Sequence, residues 1–496
     1  NDLTIKPFVM GSPMNNDQKT FPAYRESGNK FYVPHYYGVE NFGAPKQYKI
    51  AEGDNIDLEF AGTLRDGQIP VVETYINHVN KVGFGGGLLE LPCAFGKTCL
   101  ALNIISHLKK KTFIIVHKEF LMNQWIERIH QFLPKARVGK IQGPIIDIDD
   151  KDIVIGMLQS LSMKEYPTST FESFGLTIID EVHHISSEVF SNSLFKLVTK
   201  YMLGLSATMN RKDGTTKVFK MFLGNVIFKG KRDEEREVVV HAIKYEVADD
   251  EFNEVKLDFR GNPAYSTMIS KLCEYNRRTE FILKIVSDML SVNPNQQIMI
   301  LAQYKNILKY LHDAIAHRNI ATVGYYIGGM KEQALKATEG KRIVIATYAM
   351  AAEALDIKTL TTLIMATPKT DIEQSVGRIL REKHSSPIVV DVVDSHDLFQ
   401  NQWRKRKTFY KKENYKIIYT DSNNYTPDTS KWLVIFNPKS SGSKECSKKA
   451  PKNISVKSNS SSDKSITNDS DEEIEEEPEK PKDKYLAGVC FLKVKK

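Results

Sequence analysis

The chain has 496 residues and a net charge of +8, and its 41% hydrophobic and 26% charged residues are typical of a soluble globular protein with two or three domains. No apolar run reaches about 18 residues and no charged-then-apolar leader opens the chain, so we expect neither a membrane span nor secretion. The five cysteines are widely spaced without a CxxC pair, which argues for a reducing compartment and against structural zinc.

Composition and apolar pattern divide the chain into six zones. In order, these are an aromatic-rich N-terminal accessory segment (1–60), a first α/β domain (61–230), a linker (231–270), a second α/β domain (271–437), a Ser/Lys-rich and acidic tail (438–484) and a short apolar end (485–496). The tail has too few apolar groups to offset its chain entropy, so we expect it to be disordered. The apolar end is either a docking segment or only a hydrophobic terminus.

Short, continuous apolar runs alternate with helical patterns in both α/β zones. The predicted strands of the first zone are 87–91, 113–116, 152–156 and 176–179, with helices at 98–107 and 120–131. The predicted strands of the second zone are 297–301, 342–346, 362–365 and 388–393. Apolar strands between helices predict an α/β fold with two parallel sheets, each covered on both faces.

The first chemical motif is the segment LPCAFGKT, which follows a predicted strand and begins a helix. Backbone N–H groups and the helix dipole gather an anion at such a turn. Lys97 would reach the β- and γ-phosphates of a nucleotide and Thr98 would ligate Mg²⁺. The strict phosphate-loop pattern fails because Leu91 replaces the first glycine, and a chance GKT in a strand-turn-helix is the alternative. The residues assigned to nucleotide binding here are Pro92, Cys93, Ala94, Phe95, Gly96, Lys97 and Thr98.

The second motif is DEVH, which follows the predicted strand 176–179. A carboxylate at the carboxyl end of a parallel strand is placed to face the phosphates. Asp180 would hold Mg²⁺ through water, and Glu181 would orient and deprotonate the attacking water. Taken alone, DEVH could also be a solvated acidic turn. His183, together with Ser206 and Thr208 of a later SAT tripeptide, would couple hydrolysis to movement between domains.

The second zone contains the pattern QSVGRILR. Arg378 and Arg381 are three residues apart, so on a helix both would project to one side and could reach the γ-phosphate as arginine fingers. The alternative is a solvated basic helix face. Gln374 opens the pattern and is assigned to coupling. Upstream, Asp356 would contact the ribose, or else belong to a helix cap.

The remaining candidates concern the base and the nucleic acid. Gln68 precedes the phosphate loop, and its amide has the donor and acceptor needed to bind the edge of adenine. Several polar residues follow predicted strands and would track a phosphate backbone, although each could equally lie in a solvated loop. These nucleic-acid candidates are His117, Gln159, Arg211, Tyr304 and Thr347.

Taken in order, the motifs resemble those of superfamily 2 helicases throughout residues 60–415. They are Gln68, LPCAFGKT, IIVHKEFLMNQW, GMLQSL, DEVH, SAT, ATYAMAAEALD and QSVGRILR. The LPC form of the loop and the VHKEFLMNQW run are similar to the branch that contains the xeroderma pigmentosum group B helicase and its relatives in poxviruses and giant viruses. The resemblance implies two RecA-like domains with ATP and Mg²⁺ between them and nucleic acid across their top.

Three departures from the family pattern stand out. Gly67 stands where an aromatic residue often precedes the glutamine, Ala94 replaces a glycine, and no Arg-Glu-Asp tripeptide is present. None of these departures removes a group needed for hydrolysis.

From the motifs and the resemblance, the sequence predicts an ATP-dependent DNA helicase or translocase, with 3′-to-5′ movement implied by the family. The rivals are an RNA helicase, a duplex translocase that separates no strands, and a scaffold that binds nucleic acid without hydrolysing ATP.

The viral likeness implies a role in transcription or repair, in the virion or a cytoplasmic factory of the host. A non-viral relative of this kind would be nuclear or cytoplasmic. The tail would recruit transcription or repair machinery.

Overall fold

The structure is a computed structural model that describes residues 2–8, 20–82, 85–184, 187–209, 211, 213–230, 237–353, 357–380 and 387–438. The N-terminal segment forms two small antiparallel pairs and one helix. Its elements are β1 (Thr4–Ile5), β2 (Phe21–Pro22), β3 (Arg25–Ser27), β4 (Lys30–Tyr32) and α1 (His35–Phe42). Ile5, Phe21 and Ala23 are buried in one apolar cluster with Leu88 and Phe113 of the first domain, so this segment is part of that domain's packing.

The first domain is built on an eight-stranded sheet in which every neighbouring pair is parallel except the last. The spatial order is β12-β5-β11-β10-β6-β9-β7-β8. The strands are β5 (Gly85–Glu90), β6 (Thr112–Val116), β7 (Val138–Gln142), β8 (Ile145–Ile146), β9 (Ile153–Met157), β10 (Leu176–Ile179), β11 (Tyr201–Ser206) and β12 (Val226–Lys229). Because β5, β11 and β10 are adjacent and parallel, the loops that follow them meet at one edge of the sheet.

Helices cover both faces of this sheet, as continuous apolar strands require. They are α2 (Ile69–Val82), α3 (Lys97–Leu108), α4 (Glu119–Phe132), α5 (Leu158–Met163), α6 (Ser187–Leu194) and α7 (Thr216–Leu223). Short 3₁₀ turns lie at Thr168–Phe171 and Val182–His184. One core forms with α2, α3 and α4, and a second forms with α5, α6 and α7.

The second domain repeats the design with another eight-stranded sheet, which ends in one antiparallel pair. The spatial order is β15-β16-β14-β17-β18-β13-β19-β20. The strands are β13 (Val239–Tyr245), β14 (Gln297–Ala302), β15 (Val323–Tyr326), β16 (Ile343–Thr347), β17 (Leu360–Met365), β18 (Ile388–Asp394), β19 (Lys416–Asp421) and β20 (Leu433–Phe436).

The helices of the second domain again lie on both faces of its sheet, with one apolar core on each side. They are α8 (Asp250–Asn253), α9 (Tyr265–Glu274), α10 (Asn276–Val292), α11 (Lys305–His317), α12 (Glu332–Glu339), α13 (Tyr348–Glu353), α14 (Glu373–Gly377) and α15 (Asp397–Lys412). Further 3₁₀ turns lie at Arg378–Leu380 and Thr429–Lys431. No helix among the described residues is long and apolar enough to cross a membrane.

The predicted α/β fold with two tandem parallel sheets is confirmed, and both domains are RecA-like. The predicted linker 231–270 needs correction, because β13 pairs in parallel with both β18 and β19 inside the second sheet. Residues from Val239 onward therefore belong to the second domain. The predicted tail and apolar end lie beyond residue 438, outside the described residues.

Candidate active site

The loop between β5 and α3 turns sharply to bring the start of α3 to the sheet edge. Gly96 caps α3 with a φ of 89°, and Ala94 has a φ of 64°. Glycine adopts this left-handed backbone freely, whereas an alanine there costs roughly 1 kcal/mol. The loop therefore keeps the conformation of a phosphate cradle although Ala94 stands where related loops have glycine. Cys93, Ala94, Gly96, Lys97 and Thr98 line the same cavity.

Lys97 and Glu181 form an ion pair at the floor of this cavity. The Lys97 Nζ lies 2.5 Å from the Glu181 Oε1, and the two side chains are only 13% and 21% exposed. Burial is the largest single influence and acts to lower the pKa of Lys97, but the negative charges of Glu181, Cys93 and Asp180 and the hydrogen bond to Glu181 together raise the pKa above its ordinary value. Lys97 is thus a fixed cation, held where a phosphate group would take the place of the carboxylate.

Asp180 is buried beside this pair and is held at both carboxylate oxygens. The backbone N–H of Glu181 donates to Asp180 Oδ1 at 3.0 Å, and the indole N–H of Trp125 donates to Oδ2 at 2.9 Å. Burial, followed by the charge of Glu181, raises the pKa of Asp180 to about 6. Glu181 itself has a φ of 48°, a left-handed conformation of the kind that concentrates at functional sites.

A chain of polar contacts runs from this carboxylate pair to the second domain through His183. Its Nδ1 lies 3.4 Å from Glu181 Oε2 and 2.5 Å from Ser206 Oγ, and its Nε2 lies 3.0 Å from Gln374 Nε2. An amide nitrogen only donates, so His183 Nε2 accepts from Gln374 and Nδ1 carries the proton. Ser206 in turn donates to the carbonyl of Thr208. The predicted coupling residues therefore form one network that crosses between the domains.

A cavity of about 290 Å³ joins these groups to the second domain. The first domain contributes the loop residues, Asp180, Glu181 and one face of α4, and the second domain contributes Lys358, Gln374, Gly377 and Arg378. The cavity is thus lined by a carboxylate pair of the first domain and by cationic side chains of both domains. That arrangement fits a ligand with several negative charges and a divalent cation.

Comparison with known proteins matches each half of the chain to a helicase domain. Residues 61–211 match the family described as "Type III restriction enzyme, res subunit", and residues 280–383 match "Helicase conserved C-terminal domain". A helicase of Acanthamoeba polyphaga mimivirus is 36% identical over 435 residues, covering 84% of this chain and 81% of that protein. The chain belongs to the superfamily 2 helicases of large DNA viruses.

Further viral relatives agree with this assignment. A helicase of African swine fever virus is 27% identical over 402 residues, covering 74% of this chain and 76% of its own. A helicase of invertebrate iridescent virus 6 is 27% identical over 388 residues, covering 73% of this chain and 85% of its own. The protein is therefore a superfamily 2 helicase that hydrolyses ATP and binds nucleic acid.

The described site of the helicase fits the ATP and magnesium that its family uses. Thr98 and Asp180 offer a hydroxyl and a carboxylate to the same cavity, and these are the oxygen ligands that Mg²⁺ prefers. The raised pKa of Asp180 reflects a buried carboxylate that a cation would stabilise.

Gln68 does not lie where its predicted contact with adenine requires. Its side chain is 4% exposed and does not line the cavity. Its amide nitrogen donates to the carbonyl of Phe95 at 2.7 Å, and its amide oxygen accepts from the backbone N–H of Arg65 at 2.9 Å. Gln68 therefore braces the phosphate loop from behind. Pro92 and Phe95, also assigned to nucleotide binding, do not line the cavity, and they shape the turn through the Phe95 N–H to Pro92 carbonyl bond.

Two of the nucleic-acid candidates need correction. His117 is 9% exposed and lines the nucleotide cavity, so its side chain does not face a nucleic-acid surface. The guanidinium of Arg211 donates to Asp213, to Thr215 Oγ1 and, at 2.6 Å, to the carbonyl of His183. Arg211 thereby holds the segment after the SAT tripeptide against the DEVH turn.

Three nucleic-acid candidates stay predictions. Gln159 is exposed on α5 just after β9, with its amide donating to the His117 carbonyl at 3.1 Å. Tyr304 precedes α11 at the end of β14, and Thr347 ends β16. All three lie at or just after the carboxyl ends of parallel strands. Asp356 and Arg381, assigned to ribose and γ-phosphate, lie outside the described residues.

Sequence reasoning missed several residues that line the cavity, among them Gln124, Trp125, Arg128 and Lys358. Three of them lie on α4, within or just after the run IIVHKEFLMNQW. That run entered the family resemblance without a chemical role. Its helical period was the available signal, because positions 121, 124, 125 and 128 share one helix face.

Proposed function

We propose that the helicase couples ATP hydrolysis in this cavity to movement along DNA. The observation that carries the proposal is the single cavity lined by Lys97, Asp180 and Glu181 of one domain and by Gln374 and Arg378 of the other. A nucleotide bound there would contact both domains at once. Hydrolysis and release would then alter how the domains close, and alternating closure would step the protein along a strand.

Each assigned side chain has a distinct part in the proposed reaction. Lys97 binds the β- and γ-phosphates after exchanging its ion pair with Glu181 for them. Glu181 then accepts the proton of the attacking water, which adds to the γ-phosphorus as the bond to the bridging oxygen breaks. Arg378 stabilises the charge on the transferring phosphoryl group. Thr98 and Asp180 would hold Mg²⁺, which supplies charge neutralisation for the phosphates when bound.

The network through His183 supports coupling between hydrolysis and domain position. Glu181 and Gln374 both lie within hydrogen-bond or ion-pair distance of the same imidazole. A change in the Glu181 carboxylate on hydrolysis would therefore alter a contact that holds the second domain. His183, Ser206, Thr208 and Gln374 are the proposed coupling residues.

DNA is the proposed track because the loop and DEVH motifs resemble the xeroderma pigmentosum group B branch, and 3′-to-5′ movement is proposed on the same ground. RNA is the second candidate, because the mimivirus and African swine fever virus relatives carry names that describe them as ATP-dependent RNA helicases. Gln159, Tyr304 and Thr347 are the proposed contacts to the strand. We also propose that the protein acts in transcription or repair, in the virion or a cytoplasmic viral factory.

Steady-state ATP hydrolysis tests this proposal. It would be measured without nucleic acid and with single-stranded DNA, duplex DNA or single-stranded RNA of matched length. We expect stimulation by DNA that K97A abolishes. Stimulation by RNA alone would transfer the function to the second candidate, and no hydrolysis under any condition would contradict a motor. Displacement of strands from 3′-tailed and 5′-tailed duplexes then gives the direction, and absence of displacement with full stimulation indicates a translocase.

A further inference from the structure

Trp125 makes a contact that the family motifs leave without a role. It lies in the middle of α4, its side chain is 2% exposed, and its indole N–H donates to Asp180 Oδ2 at 2.9 Å. Asp180 is itself 7% exposed. Donor and acceptor are therefore both withdrawn from water, where a hydrogen bond to a charged group is stronger than at the surface.

This bond completes the fixation of the Asp180 carboxylate. The Glu181 backbone N–H holds Oδ1 at 3.0 Å, so with Trp125 on Oδ2 the plane of the carboxylate has one orientation. A neutral N–H donor suits this position because it stabilises the ionised carboxylate without adding a positive charge. A lysine or arginine there would compete with a divalent cation for the same oxygens.

The helix that carries Trp125 also contacts the second domain. Phe120, five residues before Trp125, packs against core residues of both domains. Glu127 accepts from Lys336 of α12 at 2.9 Å, and Asn123 donates to Glu332 of α12 at 3.3 Å. Contacts with both domains therefore fix the position of α4 and, with it, the position of the Trp125 indole.

We propose that Trp125 is a positioning residue that aligns the Asp180 carboxylate for Mg²⁺, and that α4 carries this alignment between the two domains. The proposal rests on the proposed function, in which Asp180 holds the metal. Partners that orient metal ligands in this way typically account for about 10–100-fold in metal affinity. Trp125 would then act on the metal-dependent part of nucleotide binding.

The test uses the full chain with W125F, which keeps an aromatic ring and removes the donor. Binding of a fluorescent ADP analogue would be titrated with Mg²⁺ and, separately, with EDTA. We expect the ratio of the affinity with Mg²⁺ to the affinity in EDTA to fall about tenfold in W125F. The ratio is the readout because Trp125 also lines the cavity, and a change in ring packing affects both affinities alike. The matched control is W432F, because Trp432 is also buried and its indole N–H also donates, to the Thr426 carbonyl at 3.1 Å, on the far part of the second domain.

A second variant separates the donor from the packing of the indole. Incorporating β-(3-benzothienyl)alanine at position 125 keeps the bicyclic shape and replaces the N–H by sulfur, and we expect the same fall in the ratio. An unchanged ratio in both variants would overturn the positioning role. If the unmodified protein bound ADP equally with Mg²⁺ and EDTA, the metal role of Asp180 in the proposed function would fail instead, and the Trp125 proposal with it.

Discussion

Gly377 of the second domain lies against Cys93 of the phosphate loop. A Cβ atom built onto Gly377 would be 2.4 Å from the Cys93 Cβ and 3.2 Å from its Sγ. Real Cβ atoms do not approach so closely, so the two domains meet here only because position 377 has no side chain. Gly377 lies between Gln374 and Arg378, two further residues of the second domain that line the cavity.

The first prediction concerns this contact. We expect G377A to hold the domains apart at the phosphate loop and to lower kcat for ATP hydrolysis by about tenfold or more, since overpacking typically costs about 1–3 kcal/mol. ATP binding by the first domain should change much less. The measurement is kcat and KM together with the affinity for a fluorescent nucleotide.

Position 93 supplies the controls for that experiment. C93G removes the clashing Cβ, so the C93G/G377A double variant should recover activity relative to G377A and match C93G. C93A keeps the Cβ, and C93A/G377A should stay as impaired as G377A. Equal behaviour of the two double variants would show that the steric explanation is wrong.

A second prediction follows from the ion pair between Lys97 and Glu181. E181Q keeps the size of the side chain and removes the carboxylate charge that pairs with the Lys97 Nζ at 2.5 Å. We expect ATP affinity to be equal or higher, because the phosphates no longer displace a carboxylate, while hydrolysis falls by about 100-fold or more for want of a base. Filter binding and single-turnover hydrolysis measure the two effects. K97A is the control that should lose binding, and unchanged turnover in E181Q would show that Glu181 is not the base.

A third prediction concerns the pH dependence of the second domain. Burial against Trp432 and the sheet lowers the pKa of His241 to about 4 from its ordinary value of 6.5. Below pH 6.5 the unfolded chain binds a proton at this residue that the folded protein does not, so stability falls as the pH is lowered from about 6.5 to about 4. H241F should flatten this part of the curve for thermal unfolding between pH 8 and pH 4.5. H130Q, at an exposed histidine of α4, is the control and should leave the curve as it is.

How far the sequence predicts the site depends on how far apart in the chain the partners lie. Lys97 and Thr98 follow a strand and begin a helix, so their placement is local and the motif predicts it. The phosphate loop lies near Asp180 because of the order of the strands in the sheet. The alternation of strands and helices in the sequence limits the possible strand orders but does not specify one. Trp125 meets Asp180 across 55 positions of sequence, and only the packing of α4 on the sheet brings them together.

The predictions that the structure corrects were wrong for the same physical reason, which is that contacts between distant parts of the chain decide them. The amide of Gln68 and the guanidinium of Arg211 are groups that bind bases and phosphates, so residue type alone predicts such contacts. In the folded chain these groups instead satisfy backbone carbonyls of neighbouring loops. β13 falls within the predicted linker because a single strand without a flanking motif does not indicate that β18 and β19, which are distant in sequence, pair with it on both sides.

The last prediction distinguishes the two roles of Arg211. As a brace, its guanidinium links Asp213 to the His183 carbonyl, so R211A should leave a partly buried carboxylate without its main partner and lower the free energy of unfolding by about 1–3 kcal/mol. The salt dependence of nucleic-acid affinity should keep its slope, whereas loss of a true phosphate contact would reduce that slope by about one. Thermal unfolding and binding titrations from low to moderate salt measure both quantities. A reduced slope with unchanged stability would return Arg211 to the nucleic-acid surface. The comparison variant is Q159A, which removes an exposed side chain of α5 and is expected to weaken binding without loss of stability.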